Sequence, residues 1–416
     1  MAGVAPLSTT IDRCRICGNA AIETVLDLGK QPLANSLRAD AAEVLPVFPL
    51  VICRCVECGT VQLTETVSPE LLFKRYVWVT GTSDGARSYS GLFCEQLVSR
   101  CRPGRLFVLE IASNDGTFLK RFAERGDRVL GVDPAQNIAA MAEQSGIPTI
   151  AEFFDVEVAA RIVARDGQAD AVFARNVIPH VANTNGVVGG LAQCLREDGT
   201  GAIEFHRADV ILNELHYDSI YHEHLYYHSL HSMQHLLSRF GLIPFDVMTS
   251  PISGGSLVVY FSKSARPRSA ALETMLADER RLAIAGAEPW RTFAARCERH
   301  RDGLRALVDA AVAQGKRIIG YGASARSSTL LNYCGIDQRH LRAIADRNPL
   351  KHGLYSPGAE IPIVPPERAF AERPDMVLLL AWNFSDEILN QIRAEHGWRG
   401  DVIMPLPGDP RVITLS

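Results

Sequence analysis

Apolar strands and helical stretches alternate twice along this chain, and each series begins with a strand that runs through small residues into a helix. The first series reads Leu106-Phe-Val-Leu-Glu110, Arg128-Val-Leu-Gly-Val132, Ala171-Val-Phe-Ala174 and Gly201-Ala-Ile-Glu-Phe205. The second reads Arg317-Ile-Ile-Gly-Tyr321, Leu341-Arg-Ala-Ile-Ala-Asp346, Met376-Val-Leu-Leu-Leu380 and Val402-Ile-Met404. Parallel strands need crossover helices, so this alternation predicts two parallel α/β sheets. Leu242–Val247 and Ser256–Phe261 are separated by Pro251 to Gly255 and predict an antiparallel hairpin closing the first sheet. Residues 266–314 carry a 3.6-residue apolar period and predict helix between the two series. The 416 residues suggest two to three domains.

Composition narrows the class of protein. At 47% hydrophobic and 22% charged residues, the chain is expected to fold as an ordinary globular protein. A net charge of −4 gives no global case for binding nucleic acid. No apolar run approaches the roughly 18–20 residues of a spanning helix, and no basic amphipathic segment argues for membrane attachment. Met1 to Arg13 shows no secretory pattern, so a cytoplasmic protein is expected.

Five of the ten cysteines fall within the first 58 residues. Cys14-Arg-Ile-Cys17-Gly and Cys55-Val-Glu-Cys58-Gly form two CxxCG knuckles, thirty-seven residues apart. Two residues between paired thiolates suit tetrahedral zinc, and glycine after each pair permits the tight turn. Four thiolates leave no open coordination position, so the expected Zn2+ is structural, held by Cys14, Cys17, Cys55 and Cys58. Cys53 is a competing neighbour left outside the set, and buried ordinary thiols are the plain alternative.

In the first α/β unit, Glu110-Ile-Ala112-Ser-Asn114-Asp-Gly116 links a strand to a helix expected from Thr117. Asp133-Pro134 ends the next strand, twenty-three residues after Glu110, where a carboxylate can accept both ribose hydroxyls. The loop is not GxGxxG, and Asn114-Asp115 would meet a pyrophosphate poorly. A ligand with a ribose and no phosphate fits better, which points to S-adenosylmethionine. The pattern resembles the class I methyltransferases, with Ala112 in place of the commoner glycine. That resemblance implies Glu152, Phe153 and Phe154 near an adenine, and Arg175 with Asn176 beside the methionine end. A dinucleotide-binding unit is the alternative.

Six of the twelve histidines lie between His216 and His235. On residue counts alone this stretch is open to metal binding, a plain polar loop, or acid–base chemistry. His222-Glu-His224 is not HExxH and has no evident third ligand. Histidine titrates near neutrality, a neighbouring carboxylate can set its tautomer, and tyrosine hydroxyls can hold a sugar or an enolate.

Tyr221-His-Glu-His-Leu-Tyr-Tyr227 resembles the sugar C-methyltransferases of deoxysugar biosynthesis. The resemblance runs nearly end to end. It includes the knuckles, Asp27-Leu-Gly-Lys-Gln-Pro-Leu-Ala-Asn35, Tyr76-Val-Trp-Val-Thr-Gly-Thr82, Ser113-Asn-Asp-Gly116, Gly320-Tyr-Gly-Ala323 and Leu330-Leu-Asn-Tyr-Cys-Gly335. It implies His224 as base, supported by Tyr76, His180, Tyr221 and Glu223. It also slightly favours a monomer.

In the second unit, Gly320-Tyr321-Gly322-Ala323-Ser324-Ala-Arg326 is a GxGxxA-like turn, and Asp346 follows Gly322 by twenty-four residues. Close backbone approach at a helix N-terminus suits a phosphate-bearing ligand, simplest as the diphosphate of a nucleotide sugar. A unit that binds nothing, or one that binds NAD, is the alternative. The full expectation is an α/β chain of three domains. Residues 1–75 bind zinc, 76–265 form a class I S-adenosylmethionine-dependent methyltransferase domain, and 266–416 form a Rossmann-like nucleotide-sugar domain. The expected reaction is C-3 methylation of a nucleotide-linked, dTDP-type 4-keto-deoxysugar. Two rival functions are an NAD-dependent nucleotide-sugar oxidoreductase and a non-catalytic zinc-containing binding protein.

Overall fold

A computed structural model describes residues 6–68, 71–72, 79–251 and 255–416. Its central sheet has seven strands, in the spatial order Ile243–Ser250, Ser256–Ser262, Leu195–His206, Ala169–Arg175, Phe107–Ile111, Arg128–Val132 and Thr149–Ile150. The last five are parallel, and the Ile243–Ser250/Ser256–Ser262 hairpin adds antiparallel to Leu195–His206. All five residues of Phe107–Ile111 are buried, as expected of a parallel strand covered on both faces. The helix Thr117–Glu124 follows, burying Phe118, Leu119 and Phe122 on its inward face.

The C-terminal sheet has six strands, in the order Ile363–Val364, Leu341–Ala345, Ile318–Tyr321, Met376–Leu379, Gly400–Met404 and Arg411–Leu415. The last of these pairs antiparallel, and the others are parallel. Both sheets therefore reverse strand order beside their first strand. The crevice lies between Phe107–Ile111 and Ala169–Arg175 in one, and between Ile318–Tyr321 and Met376–Leu379 in the other. Ligands of open α/β sheets bind in such crevices, at the carboxyl ends of the strands.

The helical stretch expected over 266–314 resolves into Ala270–Arg281 and Glu288–Ala313. The N-terminal part builds a third sheet, in which Ile22–Pro32, Val47–Cys55 and Val61–Leu63 run antiparallel. Its fourth strand is Tyr226–Tyr227, from far along the chain, pairing with Val61 and Gln62. The expected division at residue 75 hid this pairing, because a two-residue strand leaves no periodic signal. Among the described residues no helix is long and apolar enough to cross a membrane.

Candidate active site

Cys14, Cys17, Cys55 and Cys58 converge with all four Sγ atoms within 4.8 Å of one another. Cys14 and Cys58 are 3.7 Å apart, and Cys17 and Cys55 are 3.5 Å apart. Thiolates about 2.3 Å from a tetrahedral zinc sit at about this mutual spacing, so the four fit the ion. Gly18 and Gly59, each one residue past a knuckle, take φ of 77° and 67°, which glycine adopts at no steric cost. Cys53 is buried and stands outside the group.

At the first crevice, Ala112, Asn114 and Gly116 have φ of 55°, 52° and 78°. A side chain at Gly116 would also press on Ile147, 2.9 Å from where its Cβ would lie. Asp133 closes the turn: its Oδ2 accepts the Asn114 N–H at 2.9 Å and its Oδ1 accepts the Ala135 N–H at 3.0 Å. Burial raises the Asp133 pKa, and those two donors oppose the rise. Glu110 is buried beneath the turn with Oε2 unpartnered, and burial holds its pKa well above the ordinary carboxyl value. An orphaned buried carboxylate oxygen beside a strained turn suits a ligand that carries cationic and hydroxyl groups. S-adenosylmethionine carries both, and Glu110, Ala112, Asn114, Gly116, Asp133 and Pro134 would line it there.

Beside this crevice, Phe154 is buried and Phe153 is 66% exposed. Asn176 has φ of 49° and its N–H donates to the Glu204 carbonyl at 2.8 Å. Arg175 donates from Nε to Glu204 Oε2 at 2.8 Å and lies over the Phe118 ring. The Ser250 hydroxyl donates to the other Glu204 oxygen at 2.5 Å. This Arg175–Glu204–Ser250 chain was missed from sequence; a buried glutamate within an apolar strand was its one signal.

The second turn copies the first clamp. Asp346 Oδ2 accepts the Ala323 N–H at 2.8 Å and Oδ1 accepts the Asn348 N–H at 2.8 Å. Lys351 donates to the Ala323 carbonyl at 2.6 Å. Gly322 has φ of 97°, and a Cβ there would lie 2.4 Å from that of Ala381. Ser324 caps the helix Ala325–Cys334 in a reciprocal pair with Ser327. Tyr321, expected at the ligand, instead has its ring buried against Phe370 in the sheet core.

The segment 217–225 spans the two crevices. At one end the Trp382 Nε1–H, just past Met376–Leu379, donates to Asp218 Oδ2 at 2.7 Å. The Thr329 hydroxyl donates to the Ile220 carbonyl at 2.9 Å. At the other end the Leu225 N–H donates to the Pro179 carbonyl at 2.7 Å, and the His180 and His224 rings meet edge to face at 4.8 Å. His180 follows the fourth strand of the central sheet, as Trp382 follows that of the C-terminal sheet. Arg326 faces this segment, with its guanidinium 5.4 Å from the Trp382 ring.

The hydrogen bonds of His224 define its protonation. Nδ1 lies 2.8 Å from the Ser219 carbonyl, which can only accept, so Nδ1 carries the proton. Nε2 is then the lone-pair nitrogen and accepts from the Tyr221 hydroxyl at 2.7 Å. Burial, then the charges of His180 and Arg326, push the His224 pKa well below 6.5, so the ring is neutral at pH 7. Burial likewise lowers His180 to about 4. Glu223 accepts from the Asn35 side-chain amide at 2.6 Å, and burial raises its pKa. Tyr76 lies outside the described residues. The arrangement offers a neutral imidazole, hydroxyl and imidazole donors around it, and a carboxylate one residue away.

Known proteins resemble the chain in the same parts. Residues 14–73 match the family described as "Putative zinc binding domain", 87–244 match "Methyltransferase domain", and 251–407 match "C-methyltransferase C-terminal domain". C-methyltransferase NovU of Streptomyces niveus is 37% identical over 414 residues, covering 98% of each chain. Among solved structures, magnesium protoporphyrin IX methyltransferase of Synechocystis PCC 6803, with bound SAM, is 14% identical over 43% of this chain and 80% of its own, with TM-score 0.34. A Pyrococcus horikoshii protein is 16% identical over 47% of this chain and 99% of its own, with TM-score 0.37.

Proposed function

Since this chain belongs to the C-methyltransferase family and is an S-adenosylmethionine-dependent methyltransferase, we propose that it methylates C-3 of a nucleotide-linked 4-keto-deoxysugar. The observation that carries the reading is the course of segment 217–225. It joins the crevice suited to the methyl donor to the crevice suited to a phosphate, with His224 between them. A ketone at C-4 acidifies the C-3 hydrogen. His224 Nε2 takes that proton once substrate displaces the Tyr221 hydroxyl, and the freed hydroxyl then donates to the enolate oxygen. His180 and Glu223 hold the imidazole's surroundings. S-adenosylmethionine, which Glu110, Ala112, Asn114, Gly116 and Asp133 would hold, would supply an electrophilic methyl group to C-3, the new C–C bond replacing the broken C–S bond and S-adenosylhomocysteine leaving. Holding donor and carbanion at attack distance supplies much of the rate.

The N–H groups of Gly322, Ala323 and Ser324 are spent within the turn, so the close backbone approach at Gly322 and the cationic Arg326 and Lys351 side chains beside it are what suit the diphosphate of a dTDP-type substrate. We take the enzyme to act as a cytoplasmic monomer whose domains divide near residues 75 and 265. The expected outcome for His224→Ala is a turnover loss of about 10²–10⁴, the usual worth of a general base. Turnover unchanged in a methyl-transfer assay with nucleotide 4-keto sugars would overturn the assignment. S-adenosylhomocysteine should raise the melting temperature and NADH should not; the reverse result would favour an oxidoreductase.

A further inference from the structure

We infer that Asn35, carried by the zinc-binding sheet, is a positioning residue for methyl transfer and acts through Glu223; this rests on the reading of His224 and Glu223 just given. The Asp27-Leu-Gly-Lys-Gln-Pro-Leu-Ala-Asn35 stretch builds the delivery. Asp27 pairs with Val51 and Lys30 with Pro49, so the strand bulges between them. Asp27 Oδ1 accepts the Gly29 N–H at 2.7 Å, and Gly29 takes the φ of 78° that the bulge requires. Past Pro32, Leu33 and Ala34 are buried, the Ser36 N–H returns to the Leu33 carbonyl at 3.0 Å, and the Leu37 N–H to the Asn35 carbonyl at 2.9 Å. Arg38 then bridges to Tyr355 of the C-terminal unit through two backbone bonds of 3.2 and 2.8 Å. Asn35 is therefore a fixed turn residue, anchored on both sides.

From that turn its amide reaches Glu223 at 2.6 Å, although 188 residues separate the two. The same sheet holds the chain on either side of Glu223, at His222 and at Leu225. The Pro49 carbonyl lies 3.3 Å from His222 Nε2, and the Leu63 N–H donates to the Leu225 carbonyl at 2.9 Å. Tyr226 and Tyr227 extend the sheet. His224 is thus suspended between residues that the zinc-binding sheet fixes, and Asn35 is the side chain that holds the carboxylate of Glu223, its neighbour in the chain. Asn35 is exposed, so replacing it leaves the packing intact.

The test uses the full-length enzyme and a keto-sugar methyl-transfer assay. Asn35→Asp keeps the shape, removes the donor and opposes two carboxylates; Asn35→Ala removes the amide altogether. Both should lower kcat by tenfold or more, with Asn35→Asp the worse. KM for S-adenosylmethionine and the melting temperature should hold, since Asn35 touches neither cofactor turn nor core. In a Glu223→Gln background, Asn35→Ala should cost nothing further. Wild-type kcat in Asn35→Asp overturns the inference. If Glu223→Gln itself retains wild-type kcat, the site reading fails instead. A kcat loss in Asn35→Ala that persists undiminished in the Glu223→Gln background shows that Asn35 acts elsewhere and also overturns it.

Discussion

Replacing His228 by Asn should make the protein less sensitive to acid. His228 is fully buried, with its ring 5.8 Å from that of Phe205 and 5.3 Å from that of Tyr226. Its Nδ1 lies 3.2 Å from the Ser232 hydroxyl. Burial alone lowers its pKa from 6.5 to about 3. The sign follows from where the proton binds. Below pH 6.5 the unfolded chain protonates this histidine while the folded chain does not, so stability is lost as pH falls from 6.5 toward 3. At pH 5 the unfolded side has gained about 1.5 pH units at 1.36 kcal/mol each, or about 2 kcal/mol.

Other groups titrate in the same range. Burial lowers His180 to about 4 and His216 to about 3, and both add to the acid loss. Glu279, raised by burial to about 7, works the other way, because its folded form binds a proton between pH 7 and 4.5 that the unfolded form releases. The whole-protein pH curve mixes these effects, but the difference between wild type and variant isolates one proton. Guanidinium unfolding of the central sheet at pH 7 should show His228→Asn less stable by about 1–3 kcal/mol, from lost packing and a weakened hydrogen bond. At pH 5 that gap should shrink by about 2 kcal/mol. A gap of equal size at both pH values would refute the argument that His228 is held neutral by burial.

The His224→Ala loss of about 10²–10⁴ in turnover should come without loss of S-adenosylhomocysteine binding, measured by calorimetry, because His224 stands outside the cofactor turn. The purified chain should carry one zinc per molecule by elemental analysis, and Cys55→Ser or chelation should lower the melting temperature and the amide protection of Tyr226 and Tyr227; a zinc-free protein that melts like wild type would contradict this. Gly116→Ala should cost about 1–3 kcal/mol in thermal unfolding, since its φ of 78° and the contact with Ile147 both oppose a Cβ.

Local chemistry made much of this protein legible in its sequence. Apolar runs alternating with helical stretches, and two such runs split by Pro251 to Gly255, pointed to the two parallel sheets and the closing hairpin, since burial on both faces imprints a continuous apolar run on the strand itself. The zinc ligands were legible because a CxxCG knuckle carries two ligands and its own turn. The turn of the first crevice was legible because positive φ and close approach demand small residues at fixed offsets from a strand. The expected strands were nonetheless short by several residues at some ends, as at Leu195–His206, where the apolar pattern fades before the hydrogen-bonded ladder does.

Tertiary structure alone decided what stands around His224. The Asn35–Glu223 and Asp218–Trp382 hydrogen bonds join residues 188 and 164 apart in the chain. Each partner is a single polar residue with no periodic neighbours, so nothing local pairs them. The tautomer of His224 depends on a carbonyl five residues back, and its neutrality on burial by elements from distant parts of the chain. Tyr321 shows the same limit in reverse: its place in a glycine-rich turn pointed to a ligand, while strand alternation turned its ring into the core. Sequence thus determined which groups the molecule owns, because those depend on short-range sterics and hydrophobic spacing. Their juxtaposition was decided by the packing of three sheets around one nine-residue segment, because only folding brings groups so far apart within hydrogen-bonding reach.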